Sequence, residues 1–384
     1  MTQDLTVGKP LLRVWQFAVP VLFGLLLQQV YSLVDTAIVG HALGVMALGG
    51  VGATGSVNFL VLGFCGGLCT GMAIPLAQSF GAGEYHQLRR YVAGCVWLGI
   101  IMSAVLLAVT LPATRGLLRL MGTPAEQMDY AFDYIFIIFV GIPTTILYNM
   151  GACVLRALGD SKSPVWFLAA ASAINIVLDL LTVCVLGMGV AGVALATVLS
   201  QCVSAALTVL CLTGSDGMCH LDIRRLRFYP ERFAQIMKIG LPAGLQSTVF
   251  SLSNVVIQSA INSFGSTVVA GSSASSNLEG FVYTAMNAFA QAAVTFTSQN
   301  MGARKYHNLD RVMRNCLLCA VVTGILLGGG AALAGRQLLH FYSSDAAVIA
   351  AGYDRLRIIC GTYLLCGIMD VLASSLRGLG YSVL

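Results

Sequence analysis

Long stretches without an ionised side chain constrain this chain more than any other feature. Residues 14–34, 91–114, 134–155 and 315–335 contain no Asp, Glu, Lys or Arg. Each is long enough to cross a hydrocarbon core, which takes about 20 apolar residues in a helix. Longer uncharged runs at 36–83 and 239–278 hold two helices and a turn apiece. Only 10% of the 384 residues are charged, against about a quarter in a soluble domain, so a water-exposed surface cannot be covered. The expectation is an all-α integral membrane protein. The first run is too long for a cleaved leader and is followed by equivalents. The twelve cysteines lie mostly in apolar segments, where a thiol packs as a small hydrophobe. Cys65 and Cys69 have no nearby His or carboxylate to complete a metal site.

Breaks at Gly, Pro and charged residues divide the chain into about ten spans: 13–39, 46–80, 91–112, 128–150, 164–186, 190–212, 234–262, 268–301, 312–334 and 353–375. Retention of Lys and Arg on the cytoplasmic side orients them. With the N-terminus inside, 16 of the 21 basic residues fall at inner connections or helix ends; only Arg115, Arg119, Arg336, Arg355 and Arg357 fall outside. The net charge of +5 is thus orientation charge beside anionic lipid, and no nucleic-acid partner is expected. The polar stretch 213–233, with Arg224, Arg225 and Arg227, reads as a cytoplasmic linker between residues 1–212 and 234–384.

Those two parts repeat. QSFGAGEYHQLRR (78–90) is echoed by QNMGARKYHNLDR (299–311), with Gln78, Gly81, Ala82, Tyr85, His86, Leu88 and Arg90 each recurring 221 positions later. LRALGDS (155–161) is matched by LRGLGYS (376–382) at the same offset, and Pro20 by Pro242 within one position. A tandem duplication with six helices per unit gives two pseudo-symmetric lobes in parallel orientation, with a binding cavity between them. On this count the last two helices of the second lobe are missing, because the sequence is a fragment or because the gene product is truncated.

Acids inside a span are costly and mark ion or substrate pathways. Four qualify: Asp35, Asp179, Glu279 and Asp370. No Lys or Arg is read at comparable depth, which favours an exchangeable proton or Na⁺ as counter-charge. Asn175 and Asp179 are four residues apart in INIVLDLL and share a helix face; a carboxylate beside an amide suits a small hard cation or a shared proton. Thr197 lies at similar depth and either adds an oxygen or packs helices. Gln28, Tyr31 and Asp35 share a face of the first span, where Asp35 is either a pathway acid or a headgroup-level residue. Pro20, about four turns below, frees a carbonyl and permits bending. Glu279 falls about 16 Å into its span, near mid-membrane. Asp370 holds the position that Asn149 holds one repeat earlier.

Together VDTAIVG after the Pro20 helix, QSFGAGEY, LRALGDS and NIVLDLLTV resemble the multidrug and toxic compound extrusion (MATE) transporters, over essentially the whole chain. The resemblance implies twelve helices in two lobes and expulsion of small, cationic, often aromatic compounds in exchange for Na⁺ or H⁺. It also implies a cation or proton site at Asp35, Asn175, Asp179 and Thr197, with Asn149 added, and a monomer in the cytoplasmic membrane without further cofactor or metal. Acids found in some relatives are replaced here by Phe250 and Cys366, which points to coupling through the first lobe. The substrate cavity would then hold Glu279, Asp370, Gln28 and Tyr31. An alternative, a lipid-linked oligosaccharide flippase of related fold, calls for basic residues in the cavity, and the sequence offers none at mid-depth. Neither an HExxH motif nor a nucleotide-binding glycine motif is present, and all five histidines fall outside the spans. An enzyme is not expected.

Overall fold

A computed structural model describes residues 3–120, 123–214, 227–342 and 345–382. Within them the chain forms α1 (Pro10–Ile38), α2 (Gly44–Gly81), α3 (Tyr85–Leu120), α4 (Met128–Val140), α5 (Ile142–Ala157), α6 (Ser163–Asp179), α7 (Gly189–Gly214), α8 (Pro230–Asn262), α9 (Ser266–Gly302), α10 (Tyr306–Thr323), α11 (Gly329–His340) and α12 (Ala346–Gly378). Helices are forced wherever the chain meets lipid, because each backbone N–H and C=O must be satisfied within its own segment. Prolines in the first turn start α1, α5, α6 and α8, where a missing N–H costs nothing. Asp345 caps α12 by accepting from the Ala347 N–H at 2.8 Å.

The helices assemble into ten rods. α4 and α5 form a single rod bent by 49° beside Gly141. Five-residue-repeat (π) turns at Val39–Leu43, Leu180–Val185 and Gly324–Gly328 extend α1 and α6 and join α10 to α11. Seven of the helices are long and apolar enough to cross a membrane, or eight if the bent pair counts as one. The ten spans expected from the sequence correspond to the ten rods, of which α8 and α9 fall short of this measure. α8 and α9 are as long as the others but rich in Ser, Thr, Asn and Gln, which lowers their hydropathy. Large apolar side chains such as Trp166, Leu210, Val249 and Leu333 point outward, as expected for a multi-pass membrane protein, whose solvent is hydrocarbon. Much of the connection expected at 213–233, with Arg224 and Arg225, lies outside the described residues.

Small residues bring two of the rods together. Gly67 and Gly71 of α2 face Gly240, Ala243 and Gly244 of α8; a Cβ added at Gly71 would stand 2.7 Å from the Gly240 Cα. Four-residue spacing of small side chains on both partners lets the backbones approach, the packing that holds helices together where lipid is as apolar as protein. At one end of the bundle the contacts are reciprocal. Gln78 donates to the Gly378 carbonyl at 3.0 Å, and Gln299 donates to the Ala157 carbonyl at 2.8 Å. There a Cβ on Gly81 would strike the Gln299 carbonyl, and one on Gly302 would strike that of Gln78. Each contact is matched by its counterpart one repeat away: Gln78 and Gln299, Ala157 and Gly378, and Gly81 and Gly302 are each 221 positions apart. They seal that end.

Candidate functional site

Above this seal lies a cavity of about 1080 Å³, lined by α1, α2, α4 to α9 and α12. Asp35 lines it near the end of α1 and is 9% exposed, while Asn175 and Asp179 behind it are fully buried. The four-residue spacing on α6 aims both at α1. With its amide nitrogen facing the two acids, Asn175 donates to Asp35 Oδ1 at 2.9 Å and to Asp179 Oδ2 at 3.2 Å. That orientation is the one the hydrogen-bond network requires. The carboxyl groups are also within hydrogen-bonding range of each other. Asp179 Oδ1 has no partner among the described residues. Thr197 of α7 donates to the Val193 carbonyl at 3.0 Å and more weakly to Asp35 Oδ2 at 3.5 Å. Tyr31, one turn before Asp35, completes the group with its hydroxyl. Apolar side chains of Val39, Ala47, Val183, Val190 and Val193 pack around it.

Chemically this is one amide donor shared by two carboxylates in a setting with little water. Two bare negative charges so close repel strongly at low effective dielectric. A single proton or small cation on the pair relieves that repulsion. The free lone pairs of Asp179 Oδ1, the Asp35 carboxylate and the Thr197 hydroxyl are hard oxygen donors of the kind that suit such a cation. Both acid-bearing helices pass into a π turn within a few residues, at Val39 and at Leu180; such turns are frequently found at functional sites.

Asp35, Asn175, Asp179 and Thr197 are therefore brought together. Asn149 is not among them: it lines the cavity lower on α5, where its amide donates to the Thr145 carbonyl of its own helix at 2.8 Å. Gln28, Tyr31 and Asp370 also line the cavity. Glu279 does not. It is 3% exposed, accepts from Ser275 at 2.6 Å, and forms a two-pronged ion pair with Arg355 of α12 at 3.0 and 3.1 Å. This corrects both its expected place among the cavity acids and the expectation that no Arg stands at the depth of the four acids. Arg355, read at the outer end of its span, lies in α12, and its long stem lets the guanidinium reach the acid.

Three further residues escaped the sequence reading. Tyr134 of α4 lines the cavity close enough to Asp35 and Asp179 to feel their charge. Arg156 and Arg377, in the last turns of α5 and α12, line its sealed end. The cavity thus carries basic residues that sequence depth alone did not reveal; the signal was there in the matched LRxLG repeats, whose arginines were read only as orientation charge. Among the described residues no three His, Cys, Asp or Glu side chains gather as a metal-binding cluster.

The sequence profile of the MatE family matches residues 20–181 and 242–384. The chain is 30% identical over 377 residues to the probable multidrug resistance protein YpnP of Bacillus subtilis, covering 98% of this chain and 84% of that one. It is 26% identical to a FAD transporter of Shewanella oneidensis and 21% identical to the multidrug export protein MepA of Staphylococcus aureus, covering 82% and 80% of their lengths. Among solved structures, the outward-facing conformation of a multidrug resistance MATE transporter superposes on the whole chain with a TM-score of 0.92 at 23% identity, and MATE in the bent conformation with 0.91. With the profile covering most of both repeats and a relative at this identity, the chain belongs to the MatE family, the multidrug and toxic compound extrusion transporters.

Proposed function

We propose that the protein is an antiporter that exports small organic cations, drugs or toxic metabolites, across the cytoplasmic membrane in exchange for H⁺ or Na⁺. Its two parts act as pseudo-symmetric lobes, its N-terminus is cytoplasmic, and it works as a monomer. The observation that carries this reading is Asn175 bridging Asp35 and Asp179 on the wall of a large cavity. A proton or cation arriving from outside neutralises the pair. Asp35 shares α1 with Gln28 and Tyr31, which face the cavity, so the same helix feels the ion and the cargo. Pro20 within α1 and the π turn after it supply the points at which the helix bends. Cargo bound next to Asp35 and Asp370 is then released outward, and the lobes rock to refill from inside. A relative named a multidrug export protein supports this direction of transport, and another is named a FAD transporter.

The test is ethidium transport into the lumen of everted vesicles carrying the full chain, which corresponds to efflux from the cell, driven separately by a pH gradient and a Na⁺ gradient. One gradient is expected to drive efflux. Asp179→Asn is expected to abolish coupled efflux while the protein remains folded; efflux at the wild-type rate in that variant would remove the mechanism.

A further inference from the structure

The sealed end of the cavity holds two arginines, Arg156 and Arg377. Arg156 donates to Gln291 Oε1 at 3.0 Å and to Cys153 Sγ at 3.4 Å. Both acceptors are neutral, and a guanidinium has five N–H donors, so part of the fork remains free. Neither Arg156 nor Arg377 pairs with a carboxylate among the described residues, whereas Arg355 does. Asp370, two turns earlier on the same helix, is near enough for its charge to act on Arg377, although the two make no direct ion pair. Asp35 is at the far end of the cavity, on the turn that closes α1.

Arg156 does not cap its helix: its guanidinium donates to the side chains of Gln291 and Cys153. Nor have the matched positions drifted as the neighbouring ones have: the repeats differ at Asn149 and Asp370 yet both retain the arginine. Both arginines are half-buried and line the cavity. A planar fork of N–H donors is the geometry that grips a carboxylate or phosphate.

We propose that Arg156 and Arg377 form an anion subsite at the sealed end of the cavity, which takes the carboxylate or phosphate of an exported solute. The proposal rests on the export reading and narrows it. Cargo with a cationic and an anionic group spans the cavity, its cation toward Asp35 or Asp370 and its anion on the arginines.

The test uses two dyes with one chromophore: rhodamine 123, a cationic methyl ester, and rhodamine 110, its free acid. Binding to the purified full chain in phosphatidylcholine vesicles is followed by fluorescence polarisation. In Arg156→Gln the affinity for the acid relative to the ester is expected to fall roughly tenfold to a hundredfold, as for loss of a charge-assisted hydrogen bond. Arg377→Gln should shift the ratio the same way, and Arg156→Lys should recover part of it. An unchanged ratio in both glutamine variants overturns the subsite, and residual binding of the ester shows that each variant is folded. If neither dye binds the wild-type chain, the export reading fails and the subsite with it. Adding phosphatidylglycerol separates solute from lipid. Displacement of the acid dye by that lipid in the wild type, absent in Arg156→Gln, would assign the arginines to a lipid headgroup and overturn the solute assignment.

Discussion

Asn175 stands between two carboxylates that would otherwise confront each other without a donor. Replacing it with Ala leaves Asp35 Oδ1 and Asp179 Oδ2 unsatisfied in the apolar surround. The expected cost is about 1–3 kcal/mol, the penalty for orphaning buried polar groups. It should appear as a lower unfolding temperature in detergent, and adding Asp179→Asn to that variant should recover most of the loss by removing one charge. No recovery would mean that repulsion within the pair is not what Asn175 relieves. Glu279 and Arg355 allow a complementary experiment. Glu279→Gln strands a cation that is only a fifth exposed and should cost about 3 kcal/mol, whereas Glu279→Met with Arg355→Met should be nearly neutral, as replacing a buried ion pair by apolar side chains often is. Because the pair lies off the cavity wall, the double variant is expected to keep wild-type ethidium efflux; a changed substrate profile would return Glu279 to the transport path.

At the scale of helices, the α2–α8 contact depends on what is missing from its surface. Gly71→Leu would place a branched side chain where the Gly240 backbone now sits, forcing the two rods apart. A loss of about 1–3 kcal/mol, typical of overpacking, is expected in thermal unfolding, with a much smaller effect for Leu at Gly52, where an added Cβ meets nothing. Most of these rods were legible in the sequence because lipid makes helix the sole option for a long apolar run. The misreadings have local causes. The third rod was ended at Pro112, yet α3 continues to Leu120 through that proline, since a bend in a helix is cheaper than exposing backbone to hydrocarbon. The bend between α4 and α5 was missed because one glycine, Gly141, is weak punctuation within an apolar run. The Asn175–Asp179 pair was legible from four-residue spacing on a single helix. Glu279 and Arg355 are 76 positions apart on α9 and α12, and no periodicity within one helix announces a partner on another. The arginines at the sealed end were hidden for a different reason: hydropathy places a residue by its backbone, while a long side chain delivers its charge several ångströms away.

Across the whole molecule, the seal joins matched pieces of the two repeats. Each glutamine holds the helix end of the opposite half. Gln78→Ala and Gln299→Ala should each raise the rate at which an impermeant maleimide reaches Cys153 from that end, with other cysteines removed. The double variant should exceed the product of the two single effects. Equal and independent contributions would mean that the two contacts open separately. The reciprocity has a further consequence for how the molecule divides its time. A door with one bolt can stand ajar, but here each leaf is fastened by the other, so slackening either fastening pulls against its twin. Breaking one contact while keeping the other is expected to strain both halves, which favours a shut or a fully released end over intermediate widths. In the antiport proposed above, a leak of protons or sodium is therefore expected to be small, because neither fastening is released alone.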